Sequence, residues 1–425
     1  MKTFEDINKL VEQHRAYRAS CLNLVGSEKN TPMSIKKYLM SDLGNRYCTY
    51  NDDVRQRNYL GVKYISEIEA QTHELVKEVF DCKCVDLRPL GGELAAKGVI
   101  GGLVNPGDVV MEHSSPYGGH GVGRRFLSAN LTRDIYKLEY IPNDPNTYDV
   151  DLEALENKVT ELKPKLIICG RAKPLFFESL EEVRKIADKV GAYLAYDGAH
   201  IMGLVAGKVY PNPLKHGAHV LFGCTRKTFQ AVQGGMILCN DEELLKKIRP
   251  SLYPALQTNH DASRTLIIAG TLLDFLKYGN QYMTQVVSNA KSLAKELESL
   301  GLQSLYPERD YTECHQALLD LSKQGDATKL ALMLESANII SGATSIPTDD
   351  SPDGNYGKTG LRIGVEEITR LGMKNEEMKE VARLLKQVLA DKEVEKTKKE
   401  VADFVKNYQS IHYSFFEGEE AFNQL

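Results

Sequence analysis

An α/β protein with one large, mostly parallel sheet and a second, smaller α+β domain is what this sequence predicts. Through the middle of the chain, short apolar runs alternate with amphipathic helical stretches, the pattern of a parallel sheet covered on both faces. After about Gln281 the pattern changes to long charged helices around short strands. The length, 425 residues, is also too great for one simple core.

The elements follow in order. An amphipathic helix is predicted over Phe4–Ala19, with Ile7, Leu10 and Val11 at helical spacing. Val109–Met111 reads as a strand after the turn Asn105-Pro106-Gly107-Asp108, and Lys165–Cys169 as a buried strand. Ser179–Val190 reads as a helix: Ser179 and Glu182 form a capping box, Leu180, Val183, Ile186, Ala187 and Val190 share a face, and Gly191 supplies the stop. Ala192–Tyr196, His219–Cys224 and Gly235–Cys239 read as further strands. Beyond them, helices Thr284–Ser299, Lys374–Leu389 and Lys396–Tyr408 surround strands Ala317–Leu321 and Leu361–Ile363. The expected organisation is an N-terminal helical arm (1–30), a large domain (31–280) and a small C-terminal domain (281–425), with a soft boundary near 275–290.

Bulk properties exclude several functions. A net charge of −5 offers no footprint for nucleic acid or an anionic membrane. The aliphatic runs are short and broken by charge, so no membrane span is expected, and the charged start is unlike a signal peptide. The eight cysteines lack paired CxxC spacing, and the CxC of Cys82 and Cys84 has no second half, so reduced, buried thiols and no metal site are expected. A cytoplasmic protein is the simplest reading.

Four parts of pyridoxal phosphate (PLP) chemistry have candidates. A lysine must form the imine, and an acid must keep the pyridine nitrogen protonated. Backbone donors at a helix start must hold the phosphate, and a cation must take the substrate carboxylate. Lys227 follows the strand His219–Cys224, and Asp197 ends the preceding strand, where ligands of parallel sheets sit. His200 follows in the same Asp-Gly-Ala-His turn. Gly91-Gly92-Glu93 reads as a Gly-rich turn opening a helix, Gly118-Gly119-His120 could bring an imidazole onto the ring, and Arg362 could close over a carboxylate. Taken singly these signals are weak, because a strand-end Asp is more often a turn residue or a helix cap.

Their joint order is specific. The segment D-G-A-H-I-M-G-L (197–204) followed by C-T-R-K-T-F (224–229) resembles the serine hydroxymethyltransferase family, with its D-x-A-H-x-x-G-L turn and T-H-K-T lysine motif. The resemblance runs from Leu24–Asn30, through Asn45-Arg46-Tyr47 and Tyr59-Leu60-Gly61, to Gly360–Gly364 with Ile368-Thr369-Arg370. The T-F-x-x-x-Q-G-G and R-L-G-M details look most like archaeal-type members and the related threonine transaldolases. The resemblance implies fold-type I, the aspartate-aminotransferase-like scaffold, with PLP as a Schiff base on Lys227. Asp197 would then pair with the pyridine nitrogen, His120 stack on the ring and His200 contact its phenolic oxygen. Gly91, Gly92, Glu93 and Thr225 would line the phosphate site. Arg362 would bind the substrate carboxylate with Ser27 beside it, Tyr59 would serve near the substrate, and Tyr47 would reach the neighbouring subunit's phosphate, making a homodimer part of the site.

The departures bear on function. The family's catalytic glutamate lies two residues after the tyrosine matching Tyr47; Thr49 stands there. Arg226 replaces the histidine before the lysine, and reads either as a substrate-side cation or as an anchor for the lysine loop. Ala231-Val232-Gln233 replaces the usual start of G-P-x-G-G, Glu93 stands where a hydroxyl or imidazole is usual, and the ring-side serine is replaced near Arg171-Ala172-Lys173. PLP binding is therefore expected, with aldol or transaldol chemistry on a β-hydroxy-α-amino acid through a glycine quinonoid, and an aldehyde as partner, without folate. The alternatives are a folate-dependent serine hydroxymethyltransferase, other α-proton chemistry such as racemisation or β-elimination, and a binding protein that has lost turnover.

Overall fold

The structure is a computed structural model and describes residues 3–127, 134–351, 354 and 356–422. Two compact units are formed, one from residues 35–280 and one from residues 1–34 with 281–425. The N-terminal helix thus groups with the C-terminal part of the chain.

The unit of residues 35–280 is built on a seven-stranded sheet. Its strands are β1 (Cys84–Asp86), β2 (Val109–Glu112), β3 (Lys137–Tyr140), β4 (Leu166–Cys169), β5 (Tyr193–Asp197), β6 (Val220–Cys224) and β7 (Gly235–Cys239), in the spatial order β1-β7-β6-β5-β4-β2-β3. Only β7 runs antiparallel to its neighbours, as a glycine hairpin after β6 requires. β4, β5 and β6 are short apolar runs because both faces are covered. Leu166 and Ile168, Val220 and Phe222, and Ile237 and Cys239 alternate onto one face, where they meet Ala95, Val99, Ile100 and Leu103 of the helix Gly92–Leu103.

The other unit carries a three-stranded antiparallel sheet with Gly360–Gly364 between Gln316–Asp320 and Gly342–Thr344. Helices Ala327–Ser336, Glu377–Leu389 and Val394–Val405 accompany it. The helix Phe4–Ala19 has the predicted bounds, yet none of its residues is buried and Ile7, Leu10 and Val11 are exposed. Among the described residues, no helix is long and apolar enough to cross a membrane.

Two local expectations are corrected. Ser179 makes no capping bond; its hydroxyl donates to Asp149 Oδ2 at 2.7 Å and its amide to Asp149 Oδ1 at 3.2 Å. A tertiary carboxylate outcompetes the local cap, and the helix spans Leu180–Asp188, with Gly191 in the left-handed region beyond it. The helix expected from Thr284 begins instead at Ala262 and runs 38 residues to Ser299. Its first two turns are mostly apolar and lack the charged stripe by which its later part was read.

Gly170 shows how closely β4 and β5 approach at their carboxyl ends. Its φ is +94°, and a Cβ there would lie 2.3 Å from the Asp197 carbonyl oxygen. Gly170→Ala is expected to lower stability by more than about 1 kcal/mol, since both the backbone angle and the space refuse a side chain. A urea titration showing an unchanged midpoint would disprove this tightness.

Candidate active site

The carboxyl ends of β5 and β6 and the loop after β2 carry the predicted acid, lysine and histidines of this unit. Asp197, the last residue of β5, is buried; its Oδ1 accepts the Ala199 amide at 3.0 Å. Its Oδ2 lies 3.2 Å from Nδ1 of His120. Burial pushes the Asp197 carboxyl up to about 6, against the pull of the Lys227 charge and the Ala199 amide. The His120 and His200 rings are near parallel, 27° apart, with centroids 5.7 Å apart. His120 is delivered by a loop in which Gly119 touches backbone: a Cβ there would be 1.8 Å from the His113 carbonyl oxygen.

Lys227 is held through its loop. The Gln230 amide donates to the Lys227 carbonyl at 2.9 Å, and the Ala231 amide to the Thr225 carbonyl at 2.9 Å. The hydroxyl of Thr228 donates to the His200 carbonyl at 2.9 Å and accepts the Gly203 amide at 3.1 Å. The lysine loop and the turn carrying His200 are therefore one locked piece. Thr225 is fully buried and its hydroxyl donates to the Val232 carbonyl at 2.6 Å. Arg226 is exposed.

Gly91 and Gly92 open the helix Gly92–Leu103 without a side-chain cap, leaving its first amides for an anion. Neighbours demand glycine here. A Cβ on Gly92 would meet Cβ of Cys224 at 2.9 Å, and one on Gly235 would meet the Gly91 carbonyl oxygen at 2.4 Å. Glu93 lies to the side, 3.2 Å from the Lys97 ammonium and 3.3 Å from the Arg125 guanidinium.

Sequence reasoning missed two structural arginines. Buried Arg264 donates to the Gln233 carbonyl at 2.8 Å and the Pro89 carbonyl at 2.9 Å, joining the two glycine loops. Arg171, near the replaced serine, donates to Glu178 at 3.0 Å, the Tyr117 carbonyl at 2.8 Å and Asn143 at 2.8 Å, beneath the Tyr148 ring. Gly170 beside Arg171 hints at such close packing; no residue adjacent to Arg264 does.

The remaining predicted residues fall into two places. Tyr47 and Tyr59 are exposed and lean on one another, ring centroids 5.3 Å apart. Between them in sequence, Thr49 is buried, and its hydroxyl accepts from Asn58 Nδ2 at 3.2 Å. Its neighbour Cys48 lies 3.5 Å from Nε2 of His260, which is 2.6 Å from Glu69. Burial would raise Glu69, but the hydrogen bond and charge of His260, together with Arg57, bring it down to about 2. The paired Arg57 guanidinium makes this buried cluster an ionic anchor. Ser27 and Arg362 belong to the other unit, with Arg362 at the centre of its sheet opposite Leu318 and Gly342.

The residues present fit PLP. A strand-end carboxyl carrying an unrelieved burial cost suits a cationic ring nitrogen, the uncapped helix start suits a phosphate, and Lys227 stands on the next strand's loop. An acid raised to about 6 is neutral below that pH and ionised above it, so it pairs with a pyridinium only as pH rises through that value. PLP affinity of the apoprotein is therefore expected to weaken as pH falls through about 6. Asp197→Asn should lose this part of the pH dependence in equilibrium dialysis; an unaltered profile would place the ring nitrogen elsewhere.

The family profile for serine hydroxymethyltransferase matches residues 1–385. Serine hydroxymethyltransferase of Methanosphaera stadtmanae is 35% identical over 99% of this chain and 98% of its own length. That of Methanothermobacter marburgensis is 37% identical over 97% of this chain and 96% of its own length. The crystal structure of L-threonine transaldolase from Pseudomonas fluorescens, in its internal aldimine state, superposes with a TM-score of 0.89 at 26% identity. That likeness covers 96% of this chain and 93% of the transaldolase.

Proposed function

This chain belongs to the serine hydroxymethyltransferase family of fold-type I, PLP-dependent enzymes, and from that premise we propose that it breaks and forms the Cα–Cβ bond of a β-hydroxy-α-amino acid without tetrahydrofolate. The cofactor, when bound, supplies an electron sink for the pair released at the α-carbon. Lys227 would hold it, Asp197 would keep the proton on its ring nitrogen, and His120 and His200 would line the ring. The helix start at Gly91-Gly92, with Glu93 and Thr225 nearby, would receive its phosphate. Arg362, assisted by Ser27, would orient the substrate by its carboxylate. His200 and Tyr59 are the groups proposed to handle the proton of the Cβ hydroxyl, and Arg226 a second polar group of the substrate.

Thr49 carries the choice of reaction. Folate-dependent transfer calls on a carboxylate there to manage protons, and a threonine hydroxyl titrates far too high for that near neutral pH. Glu69 offers no substitute, since at about 2 it stays ionised and is committed to His260 and Arg57. Aldol cleavage asks less of the protein: a proton must leave the Cβ hydroxyl and the carboxylate must stay anchored. The likeness to a threonine transaldolase supports this reading, whereas the names of the archaeal relatives favour the folate-dependent one.

A homodimer is part of the proposal. Leu39, Met40, Tyr47, Tyr59, Leu60 and Tyr64 leave an apolar surface in one stretch of sequence, suited to a second copy whose site Tyr47 would enter. A cytoplasmic location fits eight buried cysteines, none in a disulfide.

The test is glycine formation from serine with and without tetrahydrofolate, beside threonine cleavage and its exchange with a second aldehyde. Threonine cleavage is expected without folate, with less than about twofold folate stimulation of serine cleavage, the limit being set by loss of the positioned proton carrier. Strong, saturable stimulation restores the hydroxymethyltransferase. Arg362→Lys is expected to weaken amino-acid binding at least tenfold (about 1.4 kcal/mol) with PLP content unchanged, because an ammonium cannot reproduce a bidentate guanidinium.

A further inference from the structure

The unit that carries Arg362 also holds a buried carboxyl that no reading so far has used. Glu366 is completely buried, and neither carboxyl oxygen accepts a well-formed hydrogen bond among the described residues. A buried polar group left in this way costs free energy and calls for a reason.

Strand geometry places it. Side chains alternate along Gly360–Gly364, so Arg362 and a Cβ built on Gly364 share a face, about 7 Å apart along the strand. That Cβ would lie 2.7 Å from Glu366 Oε2 and 2.2 Å from Cα of Gly26. The carboxyl of Glu366 thus lies on the Arg362 face of the sheet, against the segment leading into Ser27. Gln316, the cross-strand partner of Gly364, donates its amide to the Gly26 carbonyl at 3.1 Å. His315 Nε2 is 3.1 Å from the same carbonyl and 4.0 Å from Glu366 Oε1.

We propose that Glu366 sets the charge available at Arg362: as the neutral acid it adds no competing charge beside the guanidinium, and once ionised it competes with the substrate carboxylate for it. This rests on Arg362 being the carboxylate anchor. The surroundings favour the neutral acid. Burial raises the Glu366 carboxyl well above its ordinary range, and the charges of Glu367 and Glu28 add to this, while its own amide and Arg362 pull the other way. Glu28 is paired with Arg18 at 2.5 Å, and His315 has Cys314 Sγ at 3.1 Å from its Nδ1. Arg370 ends the helix that Glu366 opens, and the Tyr282 hydroxyl donates to the Glu366 carbonyl at 2.6 Å.

The sign follows. An acid raised in this way is neutral at low pH and ionises as pH rises, so substrate-carboxylate binding weakens on the alkaline side. The test is the glycine Kd of the holoenzyme by calorimetry from about pH 6 to about pH 10, in the wild type and in Glu366→Gln, whose amide cannot ionise. The wild-type ratio of alkaline to neutral Kd is expected to exceed that of Glu366→Gln by about tenfold, a usual size for coupling between two sites. Glu366→Met, also without charge, gives the same comparison should the glutamine variant fold poorly. Equal ratios in the wild type and the variant would overturn the proposal, even if the variant is more stable at alkaline pH, which a purely structural acid would also produce. Arg362→Lys separates the two readings. Unchanged glycine affinity in that variant removes the anchor itself, whereas a large loss beside equal Glu366 ratios removes only the role of Glu366.

Discussion

Burial of the Asp197 carboxyl at the end of β5 is the constraint on which the rest of the site depends. Desolvation alone would favour its neutral form, and the close backbone packing around it leaves few ways to relieve that cost. Gly170 admits no side chain toward the Asp197 carbonyl, and a Cβ on Gly223 would stand 2.9 Å from the Ala199 amide nitrogen. Relief within this unit comes from the Ala199 amide, from His120 and from the charges of Lys227 and Arg125. In the proposed site a cationic ring nitrogen would add what is missing, and the cofactor's electronic demand and the strand end's electrostatic cost would meet in one place.

The departures from the family motifs divide on physical grounds. Arg171 has its guanidinium fully used by Glu178, Asn143, a carbonyl and an aromatic face, so its replacement of a polar residue strengthens a loop rather than adding a substrate contact. Glu178 belongs to the same network. Burial would raise it, but His113 and Arg171 hold it well below the usual carboxylate range. Glu93 stands at the opening of the phosphate helix with two cations beside it, which offsets the repulsion a carboxylate would otherwise bring there. Thr49 has no such structural equivalent; it subtracts a proton carrier and adds only a hydrogen bond with Asn58.

Most of the sheet was legible because its signals are local. β4 through β7 are short apolar runs, and each lies within one residue of its expected bounds. The order Asp197, His200, Lys227 was legible for the same reason, being carried by two contiguous motifs. What stayed hidden depends on residues distant in sequence. Ser179 satisfied every local rule for a cap and was claimed by Asp149, thirty positions away. Arg264 and Arg171 carry no local signal of their role, because their carbonyl acceptors are set by folding, not spacing.

Glu366 was the least legible of all, since Glu366-Glu367 in sequence reads as an ordinary acidic helix start. Burial distinguishes it, and comparison with Asp197 gives that burial its meaning. Both carboxyls are raised by desolvation, and both feel nearby cations, Lys227 and Arg125 for Asp197 and Arg362 for Glu366. Their settings differ in what else opposes ionisation. Asp197 has an amide and an imidazole at hydrogen-bond distance and a further cation to gain from PLP, so ionisation there serves binding. Glu366 has two further acids acting on it and, among the described residues, no well-formed hydrogen bond, so ionisation there would draw on the guanidinium proposed to anchor the substrate. The same physical penalty therefore supports opposite protonation states, one that would strengthen the proposed cofactor contact and one that would spare the proposed substrate anchor.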